Sequence, residues 1–234
     1  MKLVTKLSIL AMTTANMMFG NLIYVGEVSG SGSGLGAVNT LFTVSSPAST
    51  STESGCLAFN GTTAVTSPCP TGFVGGDTQG INNTFTMAHL YLNNFDSIQL
   101  IFNASEPAGD GIIILDLALS LYGGDGMELA VFTLEDVPLE FLSTNTGVGN
   151  IGFGFELDAT QAAIANSFIG TDGLRIGAAI NASNATGGLE SVSVRSVRGG
   201  GLPPTQVVMP EPSTYALAGF SLIGLAMWNR KKRS

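Results

Sequence analysis

Seven segments of the chain have the alternating or continuous apolar runs that are typical of β-strands. Gly, Asn, Asp and Pro separate these runs, and such residues favour turns. The runs are residues 85–92, 97–102, 111–122, 127–133, 151–157, 174–180 and 189–197. Because short strands at this spacing are typical of packed antiparallel sheets, we predict an all-β fold, an antiparallel β-sandwich, over residues 85–198.

One segment between the strands has a helical pattern instead. Asp158 stands at the N-cap position, and Gln161 follows three residues later as in a capping box. Ala-rich turns continue to Phe168, and Gly170 is placed to end the helix. We therefore predict one short helix within the β domain.

The N-terminus has the pattern of a secretory signal peptide. Lys2 and Lys6 precede a mainly apolar run over residues 7–19. We assign residues 1–26 to the signal peptide, with cleavage after Ala15, after Gly20 or near Gly26. The alternative is a buried amphipathic first helix.

The C-terminus predicts a single transmembrane helix. Pro210 and Pro212 prevent a helix from starting earlier, so the apolar run covers residues 215–228 and ends at Trp228. The basic residues that follow hold the tail in the cytoplasm as a membrane stop: Arg230, Lys231, Lys232 and Arg233. Fourteen residues span only about 21 Å, against about 30 Å of hydrocarbon, so a briefly held and then cut anchor is favoured.

The composition is typical of an exported protein and not of a cytosolic enzyme or a nucleic-acid binder. Only 11% of the 234 residues are charged, and 31 are Gly. Between Val28 and Met209 there are 15 acidic and three basic residues, a net charge of −12. This balance excludes a basic nucleic-acid binder, and the apolar content excludes a disordered acidic tail. Residues 27–84 are a Gly/Ser/Thr-rich segment, and residues 199–209 are a linker.

The end of the chain resembles a known sorting signal. Pro210, Glu211 and Pro212 precede a Leu/Ala/Gly-rich helix and a basic terminus, and residues 210–234 thereby resemble the PEP-CTERM sorting segment of bacterial surface proteins. The resemblance implies recognition by an exosortase, a membrane enzyme with a catalytic Cys. It also implies transient anchoring in the inner membrane, then a place at the cell surface or in an exopolysaccharide or biofilm matrix.

A different sorting signal lies just upstream. Residues 202–206, Leu-Pro-Pro-Thr-Gln, resemble the L-P-x-T-G signal that sortases cut. Gln206 stands where that family requires Gly, at the scissile position. The sortase interpretation is the weaker of the two.

The body of the chain has a second resemblance. Residues 101–107, 154–163 and 175–188 are similar to a domain of other exosortase-dependent surface proteins. That resemblance implies a fold and a location, and it implies no reaction.

Cys56 and Cys69 are the only cysteines, and twelve residues separate them in a Thr/Ser/Gly/Pro-rich segment. In an exported chain such a pair predicts a disulfide. A zinc site would need more ligands, and His89 is the only histidine. We expect no metal and no cofactor.

Candidate catalytic groups are few. A Ser-His-Asp triad would have to use His89, for which a structural or surface role is favoured. A glycosidase would need paired carboxylates, and candidates by proximity in sequence are Glu135, Asp136, Glu140, Glu156 and Asp158. Solvated loop acids and, for Asp158, a helix cap are the favoured explanation of these residues.

Calcium is the remaining ligand to consider. Asp110, Asp116, Asp125 and Glu128 are oxygen donors, but no loop has EF-hand spacing. Residues 123–126, Gly-Gly-Asp-Gly, predict a hairpin turn instead.

We expect a non-enzymatic exported surface or matrix protein that an exosortase processes. The alternatives are a carbohydrate-binding surface module, with Tyr91, Tyr122 or Phe141 as its stacking surface, and a secreted glycoside hydrolase.

Overall fold

The computed structural model describes residues 18–29, 39–45, 50–105, 111–142, 151–186 and 188–197. The chain divides into two compact units, Met1–Gly200 and Gly201–Ser234. All described residues belong to the first unit.

Within these ranges the chain forms twelve strands and one α-helix. The first five strands are β1 Met18–Ser29, β2 Asn39–Val44, β3 Thr52–Phe59, β4 Ala64–Val65 and β5 Thr78–Ile81. A 3-10 turn at Phe95–Ser97 leads into β6 Ile98–Asn103, β7 Gly111–Tyr122, β8 Glu128–Leu134, β9 Leu139–Leu142 and β10 Ile151–Leu157. Helix α1 Ala159–Asn166 precedes β11 Arg175–Ser183 and β12 Glu190–Ser196. The predicted β-rich fold with one short helix is confirmed.

The strands pair in one continuous order, β4-β3-β11-β7-β8-β1-β10-β6-β12-β2-β5, and β9 pairs with β7. The pairs are antiparallel except β1 with β8, which is parallel. The predicted sandwich has two separate sheets, whereas these strands pair in one continuous order. Strand β1 pairs on both sides, so it joins the β3-β11-β7-β8 half of the order to the β10-β6-β12-β2 half.

Asp77, the residue just before β5, forms hydrogen bonds to residues near both ends of this strand order. The Asp77 amide donates to the Ser54 carbonyl of β3 at 2.9 Å, and the Ser54 amide donates to Asp77 Oδ2 at 2.9 Å. The Asp77 carbonyl accepts from the Ser45 amide at 3.1 Å, just after β2. Gly55 permits this approach, because a Cβ there would collide with the Val44 side chain. Strand β3 and the β2-β5 side of the strand order are therefore linked by hydrogen bonds at this residue.

The interior is one large apolar cluster to which most strands contribute. The largest fully buried side chains include Leu22 of β1, Phe42 of β2, Phe102 of β6, Phe132 of β8 and Phe155 of β10. Burial of such side chains is the main favourable term in folding. The core thus depends on strands from both halves of the strand order and on β1 between them.

The predicted strand at residues 85–92 is wrong. Phe85 makes a single bridge to Ile176, and the chain then turns, with the Leu92 amide donating to the Met87 carbonyl at 2.9 Å. Phe85, Leu90 and Leu92 are all buried. Their spacing breaks the two-residue period of a strand, and the turn lets all three point into the core.

The predicted helix is confirmed but is shorter than expected. Asp158 caps it, since its Oδ1 accepts from the Gln161 amide at 2.7 Å. The helix ends at Asn166 with Ser167 as its C-cap, and Gly170 follows in the left-handed region with φ +98°. Gln161 Oε1 is buried without a hydrogen-bond partner in the described part of the chain, so the reciprocal half of the capping box does not form.

Candidate functional site

Cys56 and Cys69 form the predicted disulfide, with 5.6 Å between their Cα atoms. Cys56 lies on β3 and is fully buried. It belongs to a second, smaller apolar cluster with Phe73, Ala118, Val131 and Ala179. Ala118 alternates with the core residues Leu117 and Leu119, so this cluster lies on the outer face of the sheet. The disulfide therefore fixes a loop that covers the outside of four strands.

Loss of the disulfide is expected to destabilise the domain by about 3 kcal/mol, because the bond closes a loop of 13 residues. Chemical denaturation of a Cys56→Ala, Cys69→Ala double variant measures this effect. A Thr62→Ala, Thr63→Ala variant is the matched control, since both side chains are exposed in the same loop. Equal stability of the cysteine variant and wild type would contradict the assignment.

His89 lies at the surface on the turn that replaces the predicted strand. Its ring packs 4.8 Å from the Phe85 ring, and its backbone amide donates to Thr86 Oγ1. The structure thus places this side chain against an aromatic ring.

The candidate glycosidase carboxylates are dispersed over several elements. Glu135 and Asp136 are exposed in the turn after β8, and Glu140 is exposed on β9. Asp158 caps α1. Glu156 lies on β10 and takes part in a row of polar side chains across three strands.

That row joins Glu156, Gln99 and Arg195. Gln99 Nε2 donates to Glu156 Oε1 at 3.0 Å, and Arg195 Nε donates to Gln99 Oε1 at 2.8 Å. The three residues are cross-strand neighbours in register. Burial lowers the pKa of Arg195, while the nearby Glu156 carboxylate opposes this shift. The sequence analysis missed the row because strand order is not visible in local sequence.

The possible calcium ligands are also separate. Asp125 Oδ1 accepts from the Met127 amide in the predicted hairpin turn, which forms with Gly126 at φ +86°. Burial raises the pKa of the Glu128 carboxyl. Asp110 lies outside the described residues. Within the described ranges, no three His, Cys, Asp or Glu residues group together in a way that would hold a metal ion.

Asp116 gives a pH-dependent prediction. Burial raises the pKa of this half-buried carboxyl, although its Oδ1 accepts from the Leu117 amide at 2.8 Å. A raised pKa means that the folded state holds the proton more tightly, so the free energy of unfolding falls as pH rises from about 4 through the raised pKa.

An Asp116→Asn variant keeps the acceptor oxygen and carries no charge. We expect it to be more stable than wild type at pH 7, with the difference shrinking towards pH 3. Denaturation at several pH values measures this, with the exposed Asp136→Asn variant as control. A difference that did not change with pH would contradict the account.

The aromatic side chains proposed as a stacking surface do not share one surface. Tyr91 is 49% exposed, whereas Tyr122 and Phe141 are buried. The predictions of exposure for Tyr122 and Phe141 are therefore wrong, because Phe141 packs in the core and Tyr122 packs in a separate buried cluster with Ala58 and Phe59. Burial also raises the pKa of the Tyr122 hydroxyl.

Tyr24 is an exposed aromatic residue that the sequence analysis missed, because it lies in the segment assigned to the signal peptide. It is 39% exposed. Its ring centroid is 5.0 Å from Phe141 and 5.5 Å from Phe155, and Phe141 stacks on Phe153 at 4.0 Å. Tyr24 therefore forms the outer ring of an aromatic cluster.

The sorting residues predicted from the sequence lie outside the described residues. These are Pro210, Glu211 and Pro212, and the membrane-stop residues Arg230, Lys231, Lys232 and Arg233. The predicted transmembrane helix at residues 215–228 also lies outside them. In the described part of the chain, no helix has the length and apolar character needed to cross a bilayer.

Comparison with known families confirms the predicted resemblance at this end of the chain. Residues 210–231 match the family model of the PEP-CTERM protein-sorting motif. Neither the comparison with curated proteins nor the comparison with solved structures found a match. The chain thus carries a PEP-CTERM sorting motif after its β-rich domain, which is the arrangement of an exported protein.

Proposed function

We propose that this chain is a non-enzymatic protein of the cell surface or the exopolysaccharide matrix, and that an exosortase processes its C-terminal segment. The observation that carries the proposal is the PEP-CTERM motif at residues 210–231. In this proposal the signal peptide directs export, and the apolar helix holds the chain briefly in the inner membrane. Cleavage near the Pro-Glu-Pro sequence then releases the β-rich domain.

The distribution of charge supports this route. The body carries a net charge of −12, and the last residues before Ser234 carry four cations. A cationic segment next to an apolar run stays on the cytoplasmic side, while the acidic body is free to cross. The chain is therefore suited to stop during export with only its tail inside.

The disulfide supports an oxidising destination. Cys56 is buried beneath the loop that contains Cys69, and the bond fixes this loop over the outer face of the sheet. Bonds of this kind persist in the periplasm and outside the cell. A domain that depends on this bond is suited to those compartments.

The contacts of the candidate catalytic groups support a non-enzymatic role. Asp158 caps a helix and Glu156 accepts from Gln99, whereas the other three candidates, Glu135, Asp136 and Glu140, are exposed on a turn and on β9. Asp158 and Glu156 thus have structural uses, and the remaining candidates are dispersed at the surface.

The proposal is tested by fractionating the producing bacterium and a strain that lacks its exosortase. We expect released protein without its C-terminal segment in wild type, and full-length protein in the inner membrane of the deletion strain. A periplasmic protein without the motif is the control for general export. Identical processing in both strains would contradict the proposal.

Carbohydrate binding is the second candidate, and the exposed Tyr24 ring favours it. A ring held by Phe141 and Phe155 is a rigid apolar face on which a sugar ring can pack. Aromatic contacts contribute about 0.5–1.5 kcal/mol beyond their burial, so a Tyr24→Ala variant is expected to bind up to about tenfold more weakly.

Pull-down with the bacterium's own exopolysaccharide measures this binding. Tyr24→Phe keeps the ring and is the matched control, and Tyr91→Ala tests a different exposed aromatic residue. Equal binding by Tyr24→Ala and wild type would exclude this ring as the sugar site.

A further inference from the structure

Strand β1 holds the two halves of the fold together. Its residues Met18–Gly20 pair in parallel with residues 131–133 of β8, and residues 22–29 pair with β10 from Leu157 back to Ile151. Leu22 is 1% exposed and Val28 is 6% exposed. The strand is therefore an integral part of the core and of the sheet.

The three cleavage positions that the sequence allows have different consequences for this strand. Cleavage after Gly20 removes the residues that pair with β8 from Val131 to Thr133. Cleavage near Gly26 removes Leu22 as well, together with most of the pairing to β10. Either loss leaves backbone groups of β8 without their strand partners, and unpaired backbone groups are costly when buried. Cleavage after Ala15 spares the whole strand.

We propose that signal peptidase cuts this chain between Ala15 and Asn16, so that the mature protein keeps β1. This inference rests on the proposed export through a cleaved signal peptide. Ala15 is a small residue, as the position before the cut requires. Thr13, two positions earlier, has a side chain of moderate size.

The reaction is the hydrolysis of one peptide bond. A water molecule adds its oxygen to the Ala15 carbonyl carbon, and the bond from that carbon to the Asn16 nitrogen breaks. Ala15 leaves with a carboxyl group, and Asn16 gains the proton that makes its new amino group. No oxidation or reduction takes place.

Mass spectrometry of the membrane and extracellular fractions tests the inference, because it identifies the first residue of the exported protein. We expect the mature chain to begin at Asn16. An exported chain that begins at Asn21, or between Gly26 and Val28, would overturn this inference and leave the proposed export intact. An intact Met1 in exported protein would overturn the cut, and an intact Met1 confined to the cytoplasm would overturn the proposed function itself.

Two variants sharpen the test. Ala15→Arg places a long charged side chain before the bond, and we expect this chain to keep its N-terminal segment. Asn16→Gln changes the residue after the bond, and we expect it to be cut like wild type. The same N-terminus in Ala15→Arg and wild type would overturn the assignment.

Discussion

Replacing Glu211 with alanine is expected to leave the full-length chain in the inner membrane. Glu211 lies in the matched PEP-CTERM motif and is the only acidic residue between Ser191 and the end of the chain. In the proposed route an exosortase recognises the Pro-Glu-Pro sequence, and Glu211 is the only negatively charged side chain that this sequence offers. Under the proposed function, we therefore expect loss of this charge to weaken recognition of the motif.

The measurement is the ratio of full-length membrane-bound protein to released protein. Ser213→Ala is the matched control, because it changes a neighbouring side chain and leaves the Pro-Glu-Pro sequence intact. We expect almost no release of the Glu211→Ala variant and normal release of the control. Release of Glu211→Ala at the wild-type level would contradict the sorting assignment.

Deletion of residues 230–233 is expected to have a different effect, on retention in the membrane. In the proposed route these four cations stop transfer through the bilayer, and without them we expect the short apolar run to be a poor anchor. The chain should then pass through the membrane with its C-terminal segment still attached. The two variants thus separate recognition of the motif from retention in the membrane.

The largest expected effect on stability is at Phe155. This side chain is fully buried on β10, next to Tyr24 of β1 in register, and its ring lies 6.3 Å from the Phe141 ring. Truncation of a buried Phe to Ala costs about 3–5 kcal/mol, because apolar contacts are lost and a cavity remains. Domains are stable by about 5–15 kcal/mol, so the Phe155→Ala variant is expected to lose a large fraction of its free energy of unfolding.

Chemical denaturation of the purified domain measures this loss. Tyr91→Ala is the matched control, because it removes an aromatic ring that is 49% exposed. We expect the control to change the free energy of unfolding by less than about 0.5 kcal/mol. A loss below about 1 kcal/mol for Phe155→Ala would contradict the described core.

Local pattern predicted the elements with clear periodicity. Strands β7 and β10 have the predicted bounds, Gly111–Tyr122 and Ile151–Leu157. The Asp158 cap followed from its position before an Ala-rich run, because an N-cap bond is local in sequence. The Cys56–Cys69 bond followed from the presence of only two cysteines.

Other parts of the fold depend on contacts that are distant in sequence. Strand β1 was not predicted, because an apolar run after two lysines has the same pattern as a signal peptide. Strands β2 and β3 were not predicted, because they lie within the Gly/Ser/Thr-rich segment 27–84 and are completed by pairing with the distant strands β12 and β11. The row of Glu156, Gln99 and Arg195 requires knowledge of strand order and register.

The functional residues likewise include some that local sequence predicts and some that depend on the fold. The sorting motif is a continuous stretch of sequence, so it could be identified from residues 210–231 alone. The exposure of aromatic rings could not, because it depends on which face of each strand is covered. Tyr122 and Phe141 are buried for this reason, and Tyr24 is exposed.

The identity of the last residue of the mature protein tests the central claim most directly. The protein should be isolated from the membrane and extracellular fractions of the producing bacterium, and its C-terminal peptide sequenced by mass spectrometry. We predict that released protein ends between Pro210 and Ser213. Released protein that ends after Thr205 would favour the sortase interpretation, and an intact Ser234 found in the membrane fraction alone would contradict the claim of a processed sorting signal.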